Sequence, residues 1–112
     1  MQYLLLIYQN EATNDKSMYP AYHAFTESIK ASGNYIGGNP LQPISTATSV
    51  RVRGGKTAVT DGPFAETREQ LGGYYLVEAA NLDEATAMAA RIPSVTVGTI
   101  EVRPIMVFGP SA

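Results

Sequence analysis

The sequence contains no cysteine, a single histidine and few charged residues. Without cysteine the chain has no disulfide, no thiolate nucleophile and no cysteine-ligated zinc site. One imidazole, His23, is too few for a multi-histidine metal site, so we expect no metal and no cofactor. Only 16% of the residues are charged whereas 45% are hydrophobic, which is typical of a folded globule. We expect part of this apolar surface to lie in a subunit contact.

The chain has neither a basic character nor a long hydrophobic run. Its net charge of −2 argues against nucleic acid as a partner, because phosphate binding requires a basic surface. Residues 1–10 are apolar but too short to cross a bilayer, and they lack the basic region of a signal peptide. We therefore expect a cytoplasmic protein that binds neither nucleic acid nor a membrane.

The first half of the chain predicts a strand followed by a helix, within one domain that spans residues 1–112. Residues 2–8 are apolar on both strand faces, which predicts a strand covered on both sides. Pro20 suits the first turn of a helix of about twelve residues, and Gly33 suits its end. The apolar stripe of this helix consists of Met18, Tyr22, Phe25 and Ile29.

The second half predicts a loop, a hairpin, a strand, a helix and a last strand. Residues 34–45 are rich in turn formers and predict a loop with a short edge strand. Residues 46–60 predict a hairpin that turns at Gly54-Gly55. Residues 73–79 predict a strand, and 81–93 predict a helix capped by Asn81. The final strand, 98–108, contains Pro104, which indicates an edge position or a bulge.

This order of elements predicts an α+β sandwich of the ferredoxin-like kind, with an antiparallel sheet and two helices on one face. The other face of the sheet would then be open. It would present Tyr3, Leu5 and Ile7, or their alternates, together with Tyr75 and Val77. We predict a homodimer in which two such faces pack sheet to sheet.

His23 lies about 100° around the helix from Tyr22 and therefore off the apolar stripe. A functional His23 would act as a general acid or base near neutral pH, or would donate a hydrogen bond to an anion. The residues alone favour the alternative, a histidine on the surface or in a subunit contact.

The turn Asp61-Gly62-Pro63-Phe64 also has two interpretations. The residues favour a structural turn, in which Asp61 bonds backbone amides and Phe64 covers a core edge. In the functional interpretation, Asp61 enters a pocket beside His23. There Phe64 and Tyr74 would contact the substrate. Arg51 and Arg53 share a strand face and either hold an anionic group or form a solvated surface. Gly72-Gly73 is no phosphate loop, because it enters a strand, so a close backbone approach or a bulge is expected.

The run VRVRGGKTAVTDGPFAETREQLGGYYLVEAANLDEATAMAARIP, followed by GTIEVRPIMVF, resembles the DGPF-containing branch of the YCII-related family. The resemblance extends over nearly the whole chain. It implies a ferredoxin-like fold in a dimeric α/β barrel and an active site built on a His–Asp pair. His23 matches the family's histidine, whereas Asp61 is assigned only as the acid of the motif. The branch is also similar to proteins that accompany extracytoplasmic-function sigma factors.

Three hypotheses follow. The protein is an enzyme acting on a small polar or anionic molecule, in which His23 moves a proton and Asp61 orients it. Alternatively, it is an accessory module that binds a ligand or a sigma factor through the same pocket. In the third, it is a dimer in which the DGPF turn has only a structural role.

Overall fold

The computed structural model describes residues 1–109, within which it has two α-helices and six strands. The strands are β1 (Gln2–Gln9), β2 (Tyr35–Pro40), β3 (Thr48–Arg53), β4 (Lys56–Asp61), β5 (Gln70–Glu78) and β6 (Gly98–Pro104). The helices are α1 (Tyr19–Ala31) and α2 (Leu82–Ala89). All paired strands are antiparallel, which confirms the predicted α+β class.

Four strands form the main sheet in the order β2-β5-β1-β6. Because α1 follows β1 and α2 follows β5, the order is strand-helix-strand-strand-helix-strand, the ferredoxin-like arrangement. The turn-rich segment 34–45 contributes β2 to one edge of this sheet, as the sequence predicts. At the opposite edge β6 ends at Pro104. Proline has no amide hydrogen, and this residue is tolerated at the end of an edge strand because no further strand pairs there.

The Gly72-Gly73 pair allows β5 to bend and to approach β2 closely. The β1–β5 register changes there, because Ile7 faces Gly73 whereas Tyr8 faces Leu71. Gly72 is therefore the extra residue of a bulge. A Cβ atom on Gly73 would lie 3.0 Å from the Asn39 carbonyl oxygen, so a side chain would push β2 away. The predicted bulge and the predicted close backbone approach are therefore both confirmed.

The two helices cover the same face of the sheet. On α1 the predicted stripe buries Phe25 and Ile29, and Tyr22 packs partly against them. The Asn81 side chain caps α2 by accepting from the Glu84 amide at 2.9 Å, as predicted. The α2 side of the core consists of Ala85, Met88 and Ala89, with Ile92 in the turn that follows. Within residues 1–109, neither helix has the length and apolar character needed to cross a membrane.

The strands β3 and β4 form a hairpin that stands apart from the main sheet, and we call residues 48–61 the arm. The arm is inserted in sequence between β2 and β5, and it pairs with neither of them, although the outer side of β2 is a free edge of the main sheet. Its base is closed by the DGPF turn: the Gly62 amide donates to the Ala47 carbonyl at 2.6 Å, and Ser49 Oγ donates to the Gly62 carbonyl at 2.8 Å. The backbone of Gly62 has φ +94°, a conformation that favours glycine.

The residues on the open face of the sheet differ from the first set predicted. Tyr3, Leu5 and Ile7 are buried beneath the helices together with Tyr75 and Val77. Because strand side chains alternate, the open face carries the alternate residues, which are Leu4, Leu6, Tyr8, Tyr74 and Leu76. All five are half-buried, so this face is apolar at its centre and partly accessible.

The chain is flat and extended for its length. Its radius of gyration is 16.2 Å and its extents are 46 × 44 × 18 Å. A compact domain of this length has a radius of gyration of about 13 Å. The arm accounts for part of the excess, since every residue of β4 is exposed.

Candidate functional site

A groove of about 920 Å³ runs between α1 and the β2–β5 edge of the sheet. Helix α1 contributes its polar side, and the β2–β5 edge contributes backbone at Gly38 and Gly73. The chain segments at residues 9–14 and 40–43 also contribute to its lining. The aromatic residues that line it are Tyr19, Tyr22, Tyr35, Tyr74 and Tyr75. This combination of aromatic walls and a few polar groups is typical of small-molecule sites.

His23 lines this groove from the exposed side of α1. Its position one residue after Tyr22 turns it away from the core and toward solvent. Glu27 lies one helical turn further and contacts Lys30 at 3.9 Å. Within residues 1–109, the imidazole has no hydrogen-bonding or ion-pairing partner, so both of its nitrogens are open to a ligand.

A connected set of polar side chains begins at the inner wall of the groove, and we call it the polar relay: Tyr22, Ser94, Gln9 and Thr13. The first three line the groove, whereas Thr13 is an exposed residue beside it. Tyr22 Oη lies 2.6 Å from Ser94 Oγ, which donates to Gln9 Oε1 at 2.8 Å. Gln9 Nε2 donates to Thr13 Oγ1 at 3.0 Å. Ser94 and Gln9 are only 1% and 8% exposed, so their hydrogen bonds replace water that cannot reach them.

Burial raises the pKa of two groove tyrosines. Desolvation raises the pKa of the Tyr22 phenol, and its bond to Ser94 offsets part of this effect. Desolvation also raises the pKa of Tyr75, whose hydroxyl lies 2.7 Å from Thr26 Oγ1. The Phe25 ring packs edge-on against Tyr75 with 5.2 Å between centroids. Both phenols therefore stay neutral at physiological pH and act as hydrogen-bonding groups.

Four of the six predicted site residues line a concave part of the surface, and they do so in two separate places. His23 lines the groove from the helix side, whereas Tyr74 contributes to the lining from a side chain on the open face of the sheet, where its hydroxyl accepts from Asn39 Nδ2 at 3.1 Å. Arg51 and Phe64 instead line a depression of about 250 Å³ on the arm. Among the described residues, Asp61 and Arg53 line neither.

The register of the arm separates the predicted acid from the predicted cations. Asp61 faces Thr48, whereas Arg51 faces Ala58 and Arg53 faces Lys56. Since directly opposed residues share a face and successive ones alternate, Asp61 lies on one face of the arm and both arginines lie on the other. A single arm therefore does not present Asp61 and the arginines to one ligand.

Sequence reasoning missed the polar relay. Gln9 follows Tyr3, Leu5 and Ile7 in the buried phase of β1, and a polar residue in that phase was the available signal. No sequence pattern indicated a role for Ser94, because its hydrogen-bonding partner Gln9 is 85 positions away. Within residues 1–109, no group of three or more histidine, aspartate or glutamate side chains is arranged to hold a metal ion.

Comparison with solved structures supports the fold. The chain is similar to 5-chloro-2-hydroxyhydroquinone dehydrochlorinase, TftG, of Burkholderia phenoliruptrix AC1100, in a complex with 2,5-dihydroxybenzoquinone. The TM-score is 0.54 at 16% identity, over 95% of this chain and 94% of that one. At this identity the likeness concerns the fold alone.

Comparison of sequences shows the family. An uncharacterised protein of Rhizobium meliloti (strain 1021) is 44% identical over 72 residues, which is 62% of this chain. The matched region spans 58% of that relative's length. The YCII-related domain matches residues 1–109. The chain therefore belongs to the YCII-related family.

Proposed function

We propose that the groove binds a small polar molecule and that His23 transfers a proton to or from it. The observation that carries this proposal is the position of His23, the only imidazole in the chain, on the rim of a groove whose inner wall holds the polar relay. A histidine changes charge near neutral pH, so an accessible imidazole can act as either acid or base.

The aromatic lining of the groove favours a flat ligand. Its walls include Tyr19, Tyr35 and Tyr75, whose rings offer apolar faces to a ring or a conjugated chain. Lys30 Nζ lies 5.0 Å from the centroid of the Tyr35 ring and 3.9 Å from the Glu27 carboxylate, so a charged pair lies beside the aromatic wall. The similarity to TftG, a dehydrochlorinase of a hydroxylated ring, is compatible with small-molecule catalysis.

We further propose that the protein is a homodimer of the DGPF branch, with a dimeric α/β barrel formed by its open sheet faces. Two features support a second copy: the apolar centre of the open face and the exposed valines of the arm. Asp61, Arg51 and Arg53 would then act on a groove only where the second copy brings an arm to it. The sigma-factor association remains a prediction of the family resemblance.

A titration with two small probes tests the groove. Phenol and benzoate are added separately to isotopically labelled protein, and amide shifts are followed by NMR. We expect the amides of Thr26, Gly38 and Gly73 to shift in a saturable way. Shifts confined to the arm, or none at all with either probe, would contradict a binding role for the groove.

A second measurement separates catalysis from binding. Compounds that occupy the groove are incubated in deuterated water, and the incorporation of deuterium at carbon is compared between the wild type and His23→Gln. Catalysis requires faster incorporation with the wild type. Equal incorporation, with binding intact, would identify a binding module instead. The matched control is Glu27→Gln, which changes a side chain one turn further along α1. It should incorporate deuterium as fast as the wild type.

A further inference from the structure

The polar relay ends at the backbone carbonyl of Asn10, and its hydrogen bonds run toward this end. Thr13 Oγ1 donates to the Asn10 carbonyl oxygen at 2.7 Å. A carbonyl oxygen only accepts, so the single hydroxyl hydrogen of Thr13 is used there. Thr13 Oγ1 must then accept from its other neighbour, which is the Gln9 amide nitrogen at 3.0 Å.

The direction continues through the side chain of Gln9. With the amide nitrogen turned to Thr13, Gln9 presents its oxygen to Ser94 at 2.8 Å. A buried amide oxygen requires a donor, so Ser94 gives its only hydrogen to Gln9. Met18 Sδ, at 3.8 Å from Ser94 Oγ, is a weak acceptor and does not compete for that hydrogen.

Tyr22 is the last member of the relay and lines the groove. Ser94 has no second hydrogen, so the 2.6 Å contact requires the Tyr22 hydroxyl to donate to Ser94 Oγ. The Tyr22 oxygen then keeps only lone pairs for any other partner. Because Tyr22 is half-buried and lines the groove, the groove offers an acceptor at this point and no donor.

We propose that Tyr22 is a specificity-determining residue, and that it selects a planar ring bearing a hydroxyl or amine hydrogen. This inference rests on the proposed binding role of the groove and adds the class of its ligand. A hydroxylated ring places its flat face against the tyrosine rings and donates its hydrogen to Tyr22 Oη. A ring that carries only an acceptor, such as a ketone or an ether, has no hydrogen to donate to Tyr22 Oη. Its oxygen would face the lone pairs of Tyr22 Oη, so it binds more weakly.

The relay also explains why the preference is fixed. A free tyrosine hydroxyl rotates and serves a donor or an acceptor equally well. Here the Tyr22 hydroxyl reverses only if the Ser94 hydroxyl, the Gln9 amide and the Thr13 hydroxyl reverse with it. Reversal of one member alone would place two acceptors or two donors against each other, which is unfavourable for a buried group.

Matched probes test the inference. Phenol and fluorobenzene have similar shapes, but only phenol has a hydrogen to donate. The ratio of their dissociation constants is measured by NMR titration for the wild type, Tyr22→Phe and Tyr8→Phe. We expect Tyr22→Phe to lower the preference for phenol by about three- to tenfold, the effect of one neutral hydrogen bond. Tyr8→Phe removes a tyrosine hydroxyl on the open face of the sheet, outside the groove, and should leave the ratio unchanged.

A third variant tests the direction of the relay itself. Ser94→Ala frees the Tyr22 hydrogen, so the affinity for acetophenone, which only accepts, should rise about threefold or more relative to the wild type. A Tyr22→Phe variant that keeps the phenol preference, or a Ser94→Ala variant with no gain for acetophenone, would overturn the inference while groove binding stands. Absence of groove shifts with all three probes in the wild type would instead overturn the proposed function.

Discussion

Ser94 is the residue on which the buried polar wall depends. It is 1% exposed, donates to Gln9 and contacts the Tyr22 hydroxyl. Ser94→Ala leaves the Gln9 oxygen unpaired in a place that water does not reach. We expect the free energy of unfolding to fall by about 1–3 kcal/mol. Chemical denaturation followed by circular dichroism measures this change.

The matched control is Ser45→Ala. Ser45 is exposed and lies in a surface turn, so the same substitution should change stability by less than about 0.5 kcal/mol. If the two variants lost stability equally, the relay would contribute nothing beyond an ordinary surface hydroxyl.

The raised pKa values of Tyr22 and Tyr75 predict a loss of stability at high pH. In the unfolded chain a tyrosine has a pKa of 10.0, and burial raises both values in the folded state. Above about pH 10 the unfolded chain therefore loses these protons first, and the folded state is penalised. The free energy of unfolding should be flat in pH below this value, as far as these tyrosines are concerned, and should decrease above it.

Tyr22→Phe provides the comparison for this pH series. With one of the two buried phenols removed, the decline above about pH 10 should be shallower than in the wild type. Ultraviolet titration of the phenolate band follows ionisation in parallel. A variant as steep as the wild type would show that Tyr22 ionises as freely in the folded state as in the unfolded one.

The candidate site was predictable from the sequence only in part, and the reason lies in sequence distance. His23 was a candidate because it is the only histidine and matches the histidine of the YCII-related family, and it does line the groove. Gln9 and Ser94 meet across the fold, and no local pattern relates residues so far apart. The proposed pairing of His23 with Asp61 depends on a second copy, which lies beyond what one chain's pattern can establish.

At the scale of the element, α2 depends on its first residue. Asn81 accepts from the Glu84 amide and satisfies one of the four free amides of the first turn. Asn81→Ala should lower the free energy of unfolding by about 1 kcal/mol, whereas Asn81→Asp, which keeps an acceptor, should be close to neutral. Thermal and chemical unfolding measure both. Equal losses for the two would show that the cap bond does not stabilise α2.

Elements with a strong local signal were predicted well. The stripe and Pro20 locate α1, and the Gly54-Gly55 turn locates the arm. The phase of β1 was harder, because Leu4 and Leu6 are as apolar as Leu5 and Ile7. Only the packing of the helices decides which set is buried. For the same reason, alternation could identify the hairpin but not its separation from the main sheet.

At the scale of the whole molecule, the chain lacks the compactness that its composition predicts. On the arm, Val50, Val52 and Val59 are 62%, 56% and 64% exposed, and register places them on one face. Phe64 is 78% exposed beside it. A free monomer would keep this apolar surface in water, which is unfavourable by about 25 cal/mol for each Å². On the open sheet face, Leu4, Leu6 and Leu76 expose further apolar area to water, which is unfavourable for the same reason.

The proposed homodimer predicts a mass of twice the 12.0 kDa chain in sedimentation equilibrium. If the open sheet faces form the contact, Leu6→Lys should shift the protein toward monomer, because it inserts a charge at the centre of an apolar face. Gln2→Lys adds the same charge on the same strand face at its exposed end and should leave the dimer intact.

If Val59→Lys on the arm dissociates the protein while Leu6→Lys does not, the contact lies along the arm instead. A wild type that sediments as a monomer at all concentrations would contradict both arrangements. The Asp61 side chain would then lack any route to the His23 groove.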